Sequence, residues 1–209
     1  MNTEGRFRFN MSHQDALDLI TAFYCAEINI RHQSLKLDQP SIQNLLQLSK
    51  IITDKNPRFG IMFCGAVGNG KTTLMKAFQK CINYLDNNNH FCFLDDVKYG
   101  RKFKAEMRIV DVRDIIKSAK DDASSYDILR KIKILGIDDL GKEPAEILDY
   151  GNVLSPVIEL LEYRYEKQLF TVITTNLIGK EIREKYGERI ADRFNEMLSL
   201  VVFRNQSYR

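Results

Sequence analysis

No apolar run in this 209-residue sequence approaches the roughly 18 to 20 residues that a bilayer-crossing helix requires, so a membrane-spanning role is excluded. The opening MNTEGRFRFN has no signal-peptide core, and a cytoplasmic location is expected. Cysteine is scarce. Cys25, Cys64, Cys81 and Cys92 show no CxxC spacing, and Cys64 and Cys81 fall inside apolar segments, so they read as reduced thiols rather than a disulfide frame or a zinc site. Charge of one sign is also missing. The 31 basic and 28 acidic side chains leave a net +3, so bulk charge does not argue for nucleic acid, and only local clusters can. There is no internal repeat, and no low-complexity tract beyond DNNN at 86–89. What remains is 44% hydrophobic and 28% charged residues, the composition of one globular domain with a real core.

The chain divides softly near residues 52–58. Before it, apolar residues at helical spacing predict a helix from a cap at Ser12 to Ile30, and a second after Pro40 carrying Ile42, Leu45, Leu46, Leu48, Ile51 and Ile52. Residues 1–57 are therefore read as a helical segment with a possible partner-binding role, and 58–209 as the main domain. After Arg58 short apolar runs alternate with helical stretches: GIMFC at 60–64, FCFL at 91–94, MRIVDV at 107–112, KILGIDDLG at 133–141, LFTVITTN at 169–176 and VVFRN at 201–205. Helices are expected over 73–85, from Ser155-Pro156 onward and over 188–197. This pattern predicts a three-layer α/β domain with a five-stranded parallel sheet.

The most informative stretch is FCGAVGNGKTTLM at 63–75. Gly65, Gly70, Lys71 and Thr72 match GxxxxGK[ST] without a gap, between an apolar strand and an amphipathic helix, as phosphate binding demands. Gly65, Ala66, Val67, Gly68, Asn69, Gly70, Lys71, Thr72 and Thr73 would wrap the phosphates with backbone N–H groups, while the helix adds its positive end. Lys71 would reach the β and γ phosphates of ATP, and the Thr72 hydroxyl would ligate Mg²⁺. The metal needs an acid from a neighbouring buried strand. Ile134 to Ile137 followed by Asp138 and Asp139 supplies it, with Asp138 on the metal and Asp139 polarising the attacking water. Read alone, two acids after an apolar strand are an ordinary loop exit; the phosphate loop 66 residues upstream changes the reading. Thr174, Thr175 and Asn176 end another strand at the edge where open α/β sheets bind ligands. Asn176 is either a water-orienting group or a capping amide.

These motifs, GAVGNGKTT, ILGIDDLG, VITTN and GERIADRF, stand in the order found in AAA+ ATPases, and the chain resembles the helicase-loader and transposition-helper group typified by DnaC and IstB over about residues 58–209. The resemblance implies ATP-driven assembly on single-stranded DNA with a replicative helicase or a transposase as partner. It also implies a homo-oligomer in which Arg193 of one subunit completes the next subunit's site. Arg189 lies one helical turn earlier on the same face. The bland alternative is a salt-bridged helix face of Glu188, Arg189, Asp192 and Arg193. Asp139 stands where many AAA+ members have Glu, and the resemblance to the loader group leads us to expect no lid domain after Arg193.

For DNA, Lys98, Arg101, Lys102, Lys104 and Arg108 interleave with Tyr99 and Phe103, and a helix from Val112 to Lys120 would align Arg113, Lys117 and Lys120. Six aspartates stand close by, so this stretch reads equally as a DNA groove or a solvated mixed-charge face. Two other functions are weighed against an ATPase on DNA: a P-loop small-molecule kinase, and a nucleotide-gated scaffold. The sequence leaves the adenine pocket unassigned, with Ile51, Ile52 and Phe59, just before the first strand, as candidate walls.

Overall fold

The computed structural model describes residues 6–30, 38–87, 92–93, 105–144, 147–149, 152–204 and 207. In chain order its elements are β1 (Arg8–Phe9), α1 (His13–Ile30), α2 (Gln39–Thr53), β2 (Gly60–Gly65), α3 (Lys71–Asn87), β3 (Cys92–Phe93), β4 (Met107–Asp111), α4 (Val112–Asp121) and α5 (Ala123–Lys131). Then come β5 (Ile134–Leu140), β6 (Ile147–Asp149), β7 (Asn152–Leu154), α6 (Pro156–Glu166), β8 (Phe170–Thr175), α7 (Gly179–Tyr186), α8 (Glu188–Met197) and β9 (Ser199–Phe203).

Five strands form one sheet in the order β4-β5-β8-β2-β9, every neighbouring pair parallel. The expected parallel α/β sheet is therefore present. The 91–94 run is a correction: Cys92–Phe93 pairs antiparallel with Arg8–Phe9 in a separate two-stranded sheet. A second correction concerns the acids. Their strand β5 does not neighbour the phosphate-loop strand β2, because β8 lies between them.

Both sheet faces are covered, as continuous apolar strands require. Alternate residues of β2 point to opposite sides: Ile61 and Phe63 join a core with α1, α2 and α3, while Met62 joins a core with α4, α6, α7 and α8. Leu74, Ala77, Phe78, Cys81 and Leu85 of α3 are all buried, as their spacing predicts. The N-terminal segment shares the first core, with Phe7 against Phe170 and Phe9 against Phe78. Each such phenylalanine contributes about 1.5–3 kcal/mol by leaving water.

Local capping sets the helix starts. The Ser12 hydroxyl accepts from Asp15 N–H, and the Asp38 carboxylate from Ser41 N–H. Ile42, expected on the buried stripe of α2, is instead exposed. Helix α6 is pinned by Arg164, fully buried, whose guanidinium donates to Thr171 Oγ1 (2.8 Å) and to the carbonyls of Ile132 (2.6 Å) and Phe170 (2.7 Å). Burial pushes its pKa down to about 9, so it stays charged at neutral pH, held by neutral oxygens at the amino ends of β5 and β8. No helix among the described residues is long and apolar enough to cross a membrane.

Candidate nucleotide site

The carboxyl end of β2 runs into Gly65 at φ +145°, and the loop then turns through Gly68 (φ +82°) and Gly70 (φ +94°) into the first turn of α3. Gly65 has a steric reason as well. A Cβ there would stand 2.4 Å from the carbonyl oxygen of Phe203 and 2.8 Å from Asn69 Nδ2. The first N–H groups of α3 have no helical acceptor, which leaves them and the helix dipole for an anion.

The Lys71 ammonium bridges this loop, donating to Gly65 O (2.7 Å), Ala66 O (2.6 Å) and Asn69 Oδ1 (3.1 Å). Burial pushes its pKa down, opposed chiefly by the nearby Asp139 carboxylate. Burial likewise raises the Cys64 thiol, with Lys71 pulling the other way. Asn69 Nδ2 donates to Phe203 O (3.3 Å), tying the loop to the edge strand β9. Val67, in the same loop, projects into solvent and Thr73 is buried in the first turn of α3.

Thr72 Oγ1 donates to Asp138 Oδ1 at 2.9 Å, so the start of α3 reaches across β8 to the end of β5. Thr174 Oγ1, on the intervening β8, donates to the same oxygen at 2.5 Å and accepts from Asp139 N–H at 2.8 Å. Pairing between β5 and β8 jumps from Ile137↔Ile173 to Leu140↔Thr175, one residue extra on β5. Asp139 sits in this bulge at φ +62°, so the two consecutive acids do not simply alternate across the sheet. Its carboxylate takes the Lys142 ammonium at 2.5 Å. Asn176 follows the last residue of β8, half-buried, while Thr175 Oγ1 donates to Leu140 O at 2.7 Å.

A hydroxyl and a carboxylate oxygen 2.9 Å apart at the mouth of a phosphate loop suit Mg²⁺, which takes one or two protein oxygens and keeps waters and phosphates for the rest. Accordingly, the described residues contain no cluster of three or more His, Cys, Asp or Glu able to hold a metal by themselves.

Arg193 lies on α8, which packs on the opposite face of the sheet from α3. Its guanidinium pairs with Glu162 (2.9 Å) and Glu166 (3.7 Å) and lies 4.8 Å over the Tyr165 ring, all on α6. The side chain is 12% exposed, against 66% for Arg189, which reaches Glu162 at 3.2 Å. The salt bridges thus run between helices. Glu188 and Asp192 pair with Arg183 of α7 rather than with their α8 neighbours, which corrects the simple picture of one self-paired face.

Of the basic residues expected on DNA, Lys98, Arg101, Lys102 and Lys104 lie outside the described residues. Arg113 forks onto Asp111, two contacts of 2.8 Å each, which neutralises much of its charge; Lys117 and Lys120 project into solvent on α4. Ile52 and Phe59 are buried in the two cores and are not open adenine walls; only Ile51 of the expected three is partly exposed. Sequence reasoning missed Asn69 as a tether and Thr174 as the link between the acids. The available signal for Thr174 was its place in the Thr174-Thr175-Asn176 run, where the apolar part of β8 gives way to polar groups at its carboxyl end.

Neither a protein-family model nor a curated protein matches the chain. Solved structures do. The DnaC helicase loader is 22% identical with a TM-score of 0.59, over 88% of this chain and 99% of that one. DnaI is 19% identical with a TM-score of 0.56, over 84% and 88%. AMPPCP-bound DnaA from Aquifex aeolicus is 14% identical with a TM-score of 0.50, over 80% of this chain and 48% of that one. At these identities the likeness is one of architecture, and the chain shares the fold of the DnaC helicase loader.

Proposed function

We propose that this protein is an ATP-binding and ATP-hydrolysing AAA+ protein of DNA replication, slow in isolation, that acts with single-stranded DNA on a helicase or a related machine. The observation that carries the reading is the convergence of Thr72, Asp138 and Thr174 at the mouth of the Gly65–Thr73 loop. Loop amides and the α3 terminus hold the phosphates, and Lys71 turns from its loop carbonyls toward the β and γ oxygens. Magnesium, held by Thr72 directly and by Asp138 largely through water, would neutralise charge on those oxygens. Asp139, released from Lys142, polarises the attacking water, and Asn176 orients it. Arg193 serves the neighbouring subunit's site once its ion pairs with α6 open. A guanidinium supplied this way is worth roughly 10³–10⁵ in rate, so an isolated subunit turns over slowly.

The test is ATP turnover with and without single-stranded DNA, alongside mass measurement in both conditions. Turnover is expected to rise with DNA and assembly. Arg193→Ala should suppress that rise while nucleotide affinity holds within about twofold, less than 0.5 kcal/mol. Efficient phosphorylation of a nucleoside with no DNA effect would replace this reading by a small-molecule kinase, and binding without turnover in every condition by a nucleotide-gated scaffold.

A further inference from the structure

Glu143 is an acid that the nucleotide chemistry does not use, yet its side chain is 1% exposed. A carboxylate withdrawn from water is retained only where donors meet it. Oε2 accepts the Gly141 N–H at 2.9 Å, Oε1 accepts the Tyr186 hydroxyl, and the Lys185 ammonium stands 4.0 Å away. Lys185 also donates to the carbonyl oxygens of Gly141 (2.6 Å) and Glu143. The polar groups of the turn after β5 are thus gathered by the last two residues of α7.

That turn begins at the acids. Asp139 at φ +62° and Gly141 at φ +106° make a bend that side chains rarely adopt, and such bends persist only where the surroundings over-determine them. Gly141 is pressed against the segment after β8, since a Cβ on it would meet Leu177 Cδ1 at 2.7 Å. Burial first, then the Glu143 contact, pushes the Tyr186 pKa up, so the hydroxyl remains a donor throughout the working range. Among the described residues, Asp139 is held by the Thr174 hydroxyl, which accepts its N–H, and by the exposed Lys142 ammonium.

We propose that Glu143 is a positioning residue: its buried carboxylate, with Tyr186 and Lys185, straps the Asp139–Glu143 turn to α7 and thereby sets where Asp138 and Asp139 stand toward the nucleotide. This rests on the nucleotide-site reading above.

The test uses Glu143→Gln and the milder Tyr186→Phe, which removes one hydroxyl and keeps the ring in the core. Amide hydrogen exchange over 139–143, kcat and KM for ATP, and affinity for a fluorescent ATP analogue are measured on the full chain. Exchange in the turn should accelerate at least tenfold while the 65–73 loop is unchanged, kcat should fall at least tenfold, and affinity and KM should stay within twofold. Faster exchange with unaltered kcat would overturn the positioning role, as would unaltered exchange or a parallel loss of affinity. Absence of turnover in the wild-type chain, with and without DNA, would instead sink the hydrolytic reading of the site and this inference with it.

Discussion

Thr174→Val removes a single hydroxyl from the centre of the site and keeps the shape of a side chain that is fully buried. Two hydrogen bonds go with it: the 2.5 Å donation to Asp138 Oδ1 and the 2.8 Å acceptance from Asp139 N–H. The first is charge-assisted and contributes about 1.5–3 kcal/mol; orphaning the amide costs about 1–3 kcal/mol more. Asp138 is half-buried and keeps Thr72, so water recovers part of the first, and a net loss of about 2–4 kcal/mol is expected. For a chain of this size each kcal/mol moves Tm by roughly 2–4 °C, so a fall of about 5–15 °C follows. Urea unfolding followed by circular dichroism measures the stability. Affinity for a fluorescent ATP analogue, with magnesium and with EDTA, measures the site. The EDTA affinity should hold, and the gain on adding magnesium should shrink. A stability loss below about 0.5 kcal/mol, the scatter of ordinary surface substitutions, would refute the claim that Thr174 organises both acids.

Gly65→Ala drives a methyl to 2.4 Å from the Phe203 backbone carbonyl at φ +145°, and it should cost about 1–3 kcal/mol by overpacking and weaken nucleotide binding as β9 shifts from β2; unfolding and titration that match wild type would contradict this. Acid sensitivity should centre on α4 and α5. Asp111 is held low by Arg113, Asp122 by the Ser125 hydroxyl and Asp127 by Lys131. A carboxylate with a depressed folded pKa contributes stability that is complete above its unfolded value near about 3.9 and is lost as pH falls through the folded value. Tm is therefore expected to be flat from neutral pH to about 5 and to drop below about 4, less steeply in Asp122→Asn, which retains a capping oxygen without titrating. A variant whose acid limb coincides with wild type would count against this assignment.

Much of the architecture was legible in the chain because it depends on local periodicity. The apolar runs at 60–64, 107–112, 133–141 and 169–176, and the stripe of Leu74, Phe78, Cys81 and Leu85, reappear as sheet strands and a buried helix face. The phosphate loop was legible for a related reason: its duties fall on consecutive residues, so spacing alone encodes them. The short FCFL run misled because an apolar tetrapeptide carries no information on which sheet it joins. The polar helix α7 and the β6–β7 hairpin escaped notice. The first has few apolar residues to mark a period, and the second is held by a pairing between two three-residue strands.

Consecutive residues, then, determined the elements, the glycine turn and the identities of Lys71, Thr72, Asp138 and Asp139. Tertiary structure alone decided that β8 separates the two working strands, that a bulge at Asp139 turns one acid aside, and that Thr174 bridges them. It also decided that Glu143 is buried and that Arg193 is paired to α6. The physical reason is the same in each case. Strand order, burial of a charge and the partner of a guanidinium are set by which distant segments meet, and those contacts span 31 to 66 residues of chain.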